Sequence, residues 1–256
     1  MAKEIGLVLS GGGVRAIAHI GFIKVLLENN IKPTRVAGTS AGALVAALYA
    51  YGYNPEEMIS FFKQTPFIKF SLYALHKPGI MDSEKYANFF AKFFKNNSFE
   101  NLKYPLTVTA TDLISGKLTY FNTGELIKPL IASSAIPPVF SPLEIENGLY
   151  CDGGVLNNFP VEPLLNKCDL ILGSFVNPFT KIKKEEINSS LQLLYRVYHI
   201  GMDAGNIEKF KQCHYVFSPP ETSQIGALES DSIDKAFDLG YKLAKAEEQN
   251  ILKAIQ

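Results

Sequence analysis

The chain has 256 residues, of which 47% are apolar and 20% charged, a composition typical of a globular protein with one substantial core. Its 25 basic and 25 acidic side chains cancel, so no net positive charge attracts a phosphate backbone, and nucleic-acid binding is disfavoured. The three cysteines, Cys151, Cys168 and Cys213, lack CxxC spacing and predict neither a disulfide framework nor a zinc site. We expect a single domain over residues 1–256 in a reducing compartment.

The sequence predicts neither a secretory signal nor a membrane span. Its first residues enter an apolar strand directly, without a small-residue cleavage site. The longest apolar run, residues 41–51, is shorter than the roughly 20 residues that cross a bilayer. The prediction is a soluble, cytoplasmic protein that at most contacts the inner surface of a membrane.

The first 52 residues contain two strand–turn–helix units. Apolar runs, glycine turns and helical spacing predict a strand at 5–9, a turn at 10–13, a helix at 14–30, a strand at 33–37, a turn at 38–42 and a helix at 44–51. Two such units favour an α/β fold in which crossover helices connect parallel strands.

The remaining chain adds one more helix start and several strands. Asn54-Pro55 followed by Glu57 indicates a capped helix, and Asn147-Gly148 indicates a two-residue hairpin turn between 143–145 and 149–151. Further elements are predicted as strands at 106–111, 118–121, 170–176 and 215–217 and helices at 186–209 and from about 232.

Gly38-Thr39-Ser40-Ala41-Gly42 matches GxSxG between a strand and a helix, the context of a nucleophile elbow. Such a turn strains the serine backbone and leaves no room for side chains two residues to either side. The alternative is an ordinary glycine turn that Ser40 caps.

The glycine loop Gly11-Gly12-Gly13 offers backbone N–H groups at a helix start, which suits an oxyanion hole or a phosphate cradle. Gly11, Gly13 and Ala16 also fit a dinucleotide-binding pattern. That pattern needs an acid about 20 residues later, and residues 33–42 contain none, so a nucleotide site is disfavoured.

A serine nucleophile needs a base, and Asp152 is the leading candidate because Gly153 and Gly154 allow a close backbone approach. An Asp-Gly turn without a catalytic role is the alternative. Asp82, Asp112 and Asp203 compete as acids. His199 or His214 could complete a triad in the chain order of α/β-hydrolases, although neither lies in a glycine-rich loop.

Together the Gly11–Arg15, Gly38–Gly42 and Asp152–Gly154 motifs resemble the three signature blocks of the patatin-like phospholipases, specifically a small bacterial-type member. The resemblance covers about residues 5–177, and helices in 186–255 would complete the fold. It implies a three-layer sandwich with a central, mostly parallel sheet and flanking helices. Ala16 departs from the glycine that the family often has there.

The resemblance implies a Ser–Asp dyad without histidine, with Ser40 as nucleophile, Asp152 as base and the amides of Gly11, Gly12 and Gly13 as oxyanion hole. Arg15 would bind a lipid phosphate or hold the loop through an ion pair. The implied activity is hydrolysis of lipid or fatty-acyl esters as a phospholipase or lysophospholipase. The alternatives are an α/β-hydrolase-type esterase with a histidine base and a non-catalytic nucleotide- or acyl-binding module. No cofactor or metal is expected, and peripheral contact with a membrane surface would suit such a substrate.

A phenylalanine-rich segment lies between the second and third signature blocks. Residues 61–99 contain nine phenylalanines, Phe61, Phe62, Phe67, Phe70, Phe89, Phe90, Phe93, Phe94 and Phe99. The segment either lines or covers a channel for the acyl chain or forms ordinary helical core.

Overall fold

The computed structural model describes residues 3–65, 72–74, 76–179, 181–203 and 205–255. The strands are β1 (Ile5–Leu9), β2 (Arg35–Thr39), β3 (Leu106–Asp112), β4 (Lys117–Phe121), β5 (Leu143–Ile145), β6 (Gly148–Asp152), β7 (Leu170–Ser174) and β8 (Tyr215–Phe217). The α-helices are α1 (Ala18–Glu28), α2 (Ala41–Tyr51), α3 (Pro55–Gln64), α4 (Ala87–Phe93), α5 (Ile127–Ser133), α6 (Ser190–Asp203), α7 (Asn206–Lys209), α8 (Ile233–Ala246) and α9 (Glu248–Ala254).

One mixed sheet organises the fold. Strands β8, β7, β1, β2 and β3 lie side by side in that order and run parallel. Strand β4 pairs antiparallel along one edge of β3, so β2 and β6 must share the other edge. There β2 pairs with residues 106–109 and β6 pairs with residues 110–112. The carboxyl ends of β2 and β6 therefore meet at the middle of β3.

Side chains alternate between the two faces of the parallel strands, as a pleated sheet requires. Leu7, Leu9 and Val36 belong to the larger core, which includes side chains of α1, α2, α3 and α8. The second face carries a smaller cluster, formed by Val8, Ala37, Phe159, Val161, Leu164, Ile171 and Phe175. This arrangement confirms the expected central, mostly parallel sheet with flanking helices. Within the described residues, the side chains that join the strands in the smaller cluster come from irregular segments and short turns.

The local signals for α2 and α3 are confirmed. Helix α2 ends at Tyr51 and is capped by Gly52, whose φ of 107° lies in the left-handed region that favours glycine. Asn54 caps α3 by accepting a hydrogen bond from the Glu57 N–H at 2.9 Å, and the Glu57 carboxylate accepts one from the Asn54 N–H at 2.8 Å. This reciprocal capping box fixes where α3 begins.

Three predicted elements differ most from the structure, and the ends of several others shift by up to three residues. Ile145 pairs with Gly148, so the hairpin connection consists of Glu146 and Asn147, and Gly148 already belongs to β6. The helix predicted at 186–209 is divided into α6 and α7, and Gly205 lies at the N-cap of α7. The helix predicted from residue 14 starts as a 3₁₀ turn over 13–17 before α1. Glycine has the lowest helix propensity after proline, which accounts for the division before α7.

Among the described residues, no helix combines the length and the apolar character needed to cross a bilayer.

Candidate active site

Ser40 occupies a strained turn between β2 and α2. Its φ of 55° lies in the left-handed region, which non-glycine residues seldom adopt. A Cβ on Gly42 would clash with the Ser10 carbonyl oxygen, so the turn packs too tightly against β1 for any other residue at that position. The Ser40 N–H donates to Ser133 Oγ at 2.9 Å. The GxSxG motif thus forms the strand–turn–helix geometry of a nucleophile elbow.

Strand β3 brings Asp152 to Ser40. Thr39, the last residue of β2, pairs with Thr109, and Asp152, the last residue of β6, pairs with the next residue, Ala110. The Ser40 hydroxyl donates a hydrogen bond of 2.6 Å to Asp152 Oδ2. The Gly154 N–H donates to the other carboxylate oxygen, Oδ1, at 2.7 Å. Both oxygens of the carboxylate are therefore oriented, one of them toward the serine.

Burial changes the basicity of Asp152. Its side chain is 1% exposed, and desolvation raises its pKa from 3.8 to about 7, because a buried carboxylate loses the stabilisation that water gives its charge. The hydrogen bonds from Ser40 and Gly154 act in the opposite direction and only partly offset this effect. A carboxyl group with such a pKa is a far better proton acceptor at neutral pH than an exposed aspartate.

The glycine loop has two backbone donors to offer, rather than three. The Gly11 N–H donates to the Asn158 carbonyl oxygen at 3.3 Å. Within the described residues, the N–H groups of Gly12 and Gly13 have no acceptor. Both residues line the same pocket as Ser40. Gly13 has a φ of 58° and lies so close to the Ala227 carbonyl that a side chain would clash.

Arg15 holds the glycine loop in place. Its Nε donates to the Ile225 carbonyl oxygen at 2.7 Å, and one of its terminal nitrogens donates to Asn177 Oδ1 at 2.8 Å. The ion pair expected for Arg15 is not found among the described residues, since both acceptors are uncharged. These bonds tie the loop to two distant segments and use two of the five N–H donors of the guanidinium that was a candidate for lipid phosphate.

A largely apolar pocket opens onto Ser40 and Asp152. Its apolar walls come mainly from α2, the phenylalanine-rich segment, α5 and the residues after it, through Leu44, Phe62, Tyr86, Phe90, Ile131, Val139 and Phe140. Phe62 and Phe90 line the pocket, whereas Phe61, Phe94 and Phe99 are buried in the larger core. The described part of the phenylalanine-rich segment thus contributes both to the pocket wall and to the core. Phe67 and Phe70 lie outside the described residues.

The two histidine candidates and two of the competing acids, Asp82 and Asp112, are placed differently from Asp152, and the side chain of Asp203 is not among those that the structure describes. His214 Nδ1 accepts a hydrogen bond from the Ile171 N–H at 3.1 Å, in the link between β7 and β8. His199 lines the pocket, and burial together with the positive charge of Arg15 lowers its pKa to about 4. Asp112 closes the β3–β4 turn by accepting from the Ile114 N–H, and Asp82 caps a 3₁₀ turn.

The sequence motifs did not reveal every residue that supports the site. Thr39 Oγ1 donates to the Asn157 carbonyl at 2.9 Å, and the Asn157 N–H donates to the Gly153 carbonyl at 2.8 Å. With the bond from Gly11 to Asn158, residues 157 and 158 connect all three signature motifs. Ser133, which accepts the hydrogen bond from the Ser40 N–H, lies outside all three motifs.

Within the described residues, no three His, Cys, Asp or Glu side chains lie close enough together to hold a metal ion.

Sequence comparisons place this geometry in a known family. The model of the family described as patatin-like phospholipase matches residues 7–165. An uncharacterized NTE family protein of Mycobacterium tuberculosis is 32% identical over 179 residues, which are 69% of this chain and 50% of that protein. Lysophospholipase NTE1 of Coccidioides immitis is 25% identical over 95% of this chain, which corresponds to 17% of its own length. The chain thus spans half or less of these curated relatives.

Solved structures give looser likenesses. VipD from Legionella pneumophila has a TM-score of 0.49 at 14% identity, covering 96% of this chain and 67% of that one. The type III effector ExoU has a TM-score of 0.44 at 15% identity, covering 96% and 54%. The family assignment rests on the sequence match, which covers more than half of the chain and includes the glycine loop, Ser40 and Asp152. The chain therefore belongs to the patatin-like phospholipase family.

Proposed function

We propose that this chain is a serine hydrolase of lipid acyl esters in which Ser40 is the nucleophile and Asp152 the general base. The observation that carries the proposal is the 2.6 Å hydrogen bond from the Ser40 hydroxyl to Asp152 Oδ2. Both residues line an apolar pocket. A serine hydroxyl becomes an effective nucleophile when a neighbouring group accepts its proton as it attacks.

Acylation follows from this arrangement. Asp152 accepts the hydroxyl proton while Ser40 Oγ attacks the ester carbonyl carbon, and the carbonyl oxygen becomes an oxyanion. The N–H groups of Gly12 and Gly13 donate to it, and the positive end of the α2 dipole lies beside it. When the tetrahedral intermediate collapses, protonated Asp152 gives its proton to the departing alcohol oxygen, and an acyl-enzyme on Ser40 remains.

Deacylation repeats the same proton movements. A water molecule attacks the acyl carbonyl and transfers a proton to Asp152. The second tetrahedral intermediate collapses, the Ser40 oxygen takes the proton back, and a carboxylic acid leaves. Asp152 therefore acts as base and then as acid in each half-reaction, which suits a pKa near 7.

A histidine base is the rival, because His199 lies in the wall of the same pocket. Its pKa of about 4 makes neutral His199 a weaker base than Asp152 by about three pKa units. The Ser40 hydroxyl already donates to the stronger base. Both facts favour the dyad over a triad.

The pocket supports a lipid substrate. Aromatic and aliphatic side chains surround the space beyond Ser40, which suits an acyl chain better than a polar acyl group. The name of the relative lysophospholipase NTE1 points to the same substrate class. We assign the acyl chain, rather than the head group, to this pocket.

A fluorophosphonate probe tests the proposal, because an activated serine reacts with it far faster than an ordinary serine does. We expect one equivalent of label on Ser40, and no label in Ser40→Ala. Ser115→Ala, a change at an exposed turn serine, is the matched control and should label like the wild type. Equal labelling of Ser40→Ala and the wild type would overturn the assignment of the nucleophile.

A further inference from the structure

Helix α6 presents an outward face of aliphatic side chains. Leu193, Leu194, Val197 and Ile200 are each between 47% and 58% exposed. Positions 193, 197 and 200 follow one another at helical spacing, and 194 borders them, so the four side chains form one stripe. We call these four residues the α6 apolar face. A clustered apolar surface of this kind marks a contact with another apolar partner.

The opposite side of the same helix forms part of the catalytic pocket. Tyr198 and His199 line the pocket together with Ser40. Leu228 also lines the pocket and is 48% exposed, so apolar surface continues to the pocket opening. Phe179 is exposed as well, and the Arg196 guanidinium lies 4.3 Å from the centre of its ring. Whatever covers the α6 apolar face therefore lies next to the entrance to Ser40.

We propose that the α6 apolar face docks on the hydrocarbon side of a lipid surface and places the pocket entrance against it. This inference rests on the proposed function, which requires an acyl chain to leave a membrane or micelle. The four side chains contain no hydrogen-bonding group, and a lipid surface needs none, whereas protein interfaces average about one hydrogen bond per 100–200 Å². An interfacial helix inserts its aliphatic face below the head groups.

The charges near the helix determine how this docking responds to salt. Across residues 179–203 the basic side chains Lys181, Lys183, Lys184 and Arg196 are nearly balanced by Glu185, Glu186 and Asp203. A segment with so little net charge gains little from anionic lipid. Binding therefore depends on burial of aliphatic side chains, and we expect it to change less than about twofold between roughly 0.1 and 0.5 M NaCl.

Two double variants test the docking with matched geometry. Leu193→Gln with Val197→Gln makes the face polar. Leu193→Met with Val197→Met keeps the face apolar, and methionine has nearly the same shape as glutamine. Glutamine and methionine have similar helix propensity, so α6 itself is conserved in both. We expect flotation with phosphatidylcholine vesicles to weaken at least about tenfold in the glutamine variant and to stay within about twofold of the wild type in the methionine variant.

Turnover of two substrates separates docking from the chemistry. Hydrolysis of a dissolved short-chain ester should be equal in all three proteins, and hydrolysis of vesicle phospholipid should fall in the glutamine variant alone. Vesicle binding and vesicle turnover that are unchanged in the glutamine variant would overturn the proposal. So would an equal loss of short-chain turnover in that variant, which would indicate a structural role for these side chains.

The remaining outcomes identify other causes. If the wild type binds vesicles and the glutamine variant does not, but neither hydrolyses any ester, the docking is supported and the proposed function fails. If the glutamine variant changes only the oligomeric state measured by analytical ultracentrifugation, the face contacts a second copy of the chain and the lipid proposal is wrong.

Discussion

Replacing Asp152 with asparagine should stabilise the protein at high pH. Burial raises the pKa of Asp152 from 3.8 to about 7, so between these values the unfolded chain has lost a proton that the folded chain keeps. Stability then falls as pH rises, by about 1.4 kcal/mol per pH unit across this window, and levels off above about pH 7. The full cost of the buried charge is about 4 kcal/mol, of which about 3 kcal/mol develops between pH 5 and pH 8.

The Asp152→Asn variant lacks this cost, while its amide group keeps an oxygen for the Gly154 N–H and offers an NH₂ group to Ser40 Oγ. Urea unfolding of the wild type and Asp152→Asn at pH 5 and pH 8 measures the effect, because other groups titrate equally in both proteins. We expect the free energy of unfolding of the variant, relative to the wild type, to increase by about 3 kcal/mol from pH 5 to pH 8.

Asp112→Asn is the control, since hydrogen bonds lower the pKa of that carboxyl and it stays ionised across this pH range. Its stability should follow the pH dependence of the wild type between pH 5 and pH 8. If Asp152→Asn also keeps the wild-type pH dependence, burial does not raise the pKa of Asp152, and the argument for a neutral-pH base fails.

Three further outcomes follow from the geometry. Asp152 must be ionised to accept the Ser40 proton. The value of kcat/KM for a soluble ester should therefore rise about tenfold per pH unit up to a pKa of about 7 and then level off. A profile that is flat from pH 5 to pH 8 would contradict this. Ser133→Ala leaves the buried Ser40 N–H without its acceptor, so the free energy of unfolding should fall by about 1–3 kcal/mol and turnover should fall about tenfold. Unfolding and kinetics identical to the wild type would show that Ser133 does not position the serine. Val139→Phe narrows the acyl pocket and should lower turnover of long-chain esters at least about tenfold while sparing two-carbon esters; a uniform loss across chain lengths would refute the assignment of the pocket.

The sequence indicated the candidate residues of the site but not the contacts between them. The residues that mark a strand–turn–helix transition are close together in the chain, so the Ser40 elbow and the ends of α2 and α3 could be predicted from neighbouring residues. Ser40 and Asp152 are 112 positions apart, and their contact depends on both β2 and β6 pairing along the same edge of β3. Strand pairing over such separations leaves no local signal in one sequence.

Other features depend on the three-dimensional environment of groups that look alike in sequence. Gly11, Gly12 and Gly13 are equivalent in the motif, yet the Asn158 carbonyl engages the N–H of Gly11. The helical periodicity of 190–203 indicates a helix but does not tell which side of it faces the protein, since large apolar residues recur on more than one side in the sequence. Only the packing around the pocket distinguishes the wall residues Tyr198 and His199 from the exposed stripe.

If Asp152 activates Ser40 without a histidine, turnover of a soluble ester must depend on Asp152 and not on His199, which the variants Asp152→Asn and His199→Ala measure. Circular dichroism confirms that both variants are folded. Asp152→Asn should lower kcat by at least the roughly 10²–10⁴ typical of general-base loss, and His199→Ala should stay within a few-fold of the wild type. A fall of about a hundredfold or more in folded His199→Ala, with Asp152→Asn nearly unaffected, would contradict the dyad.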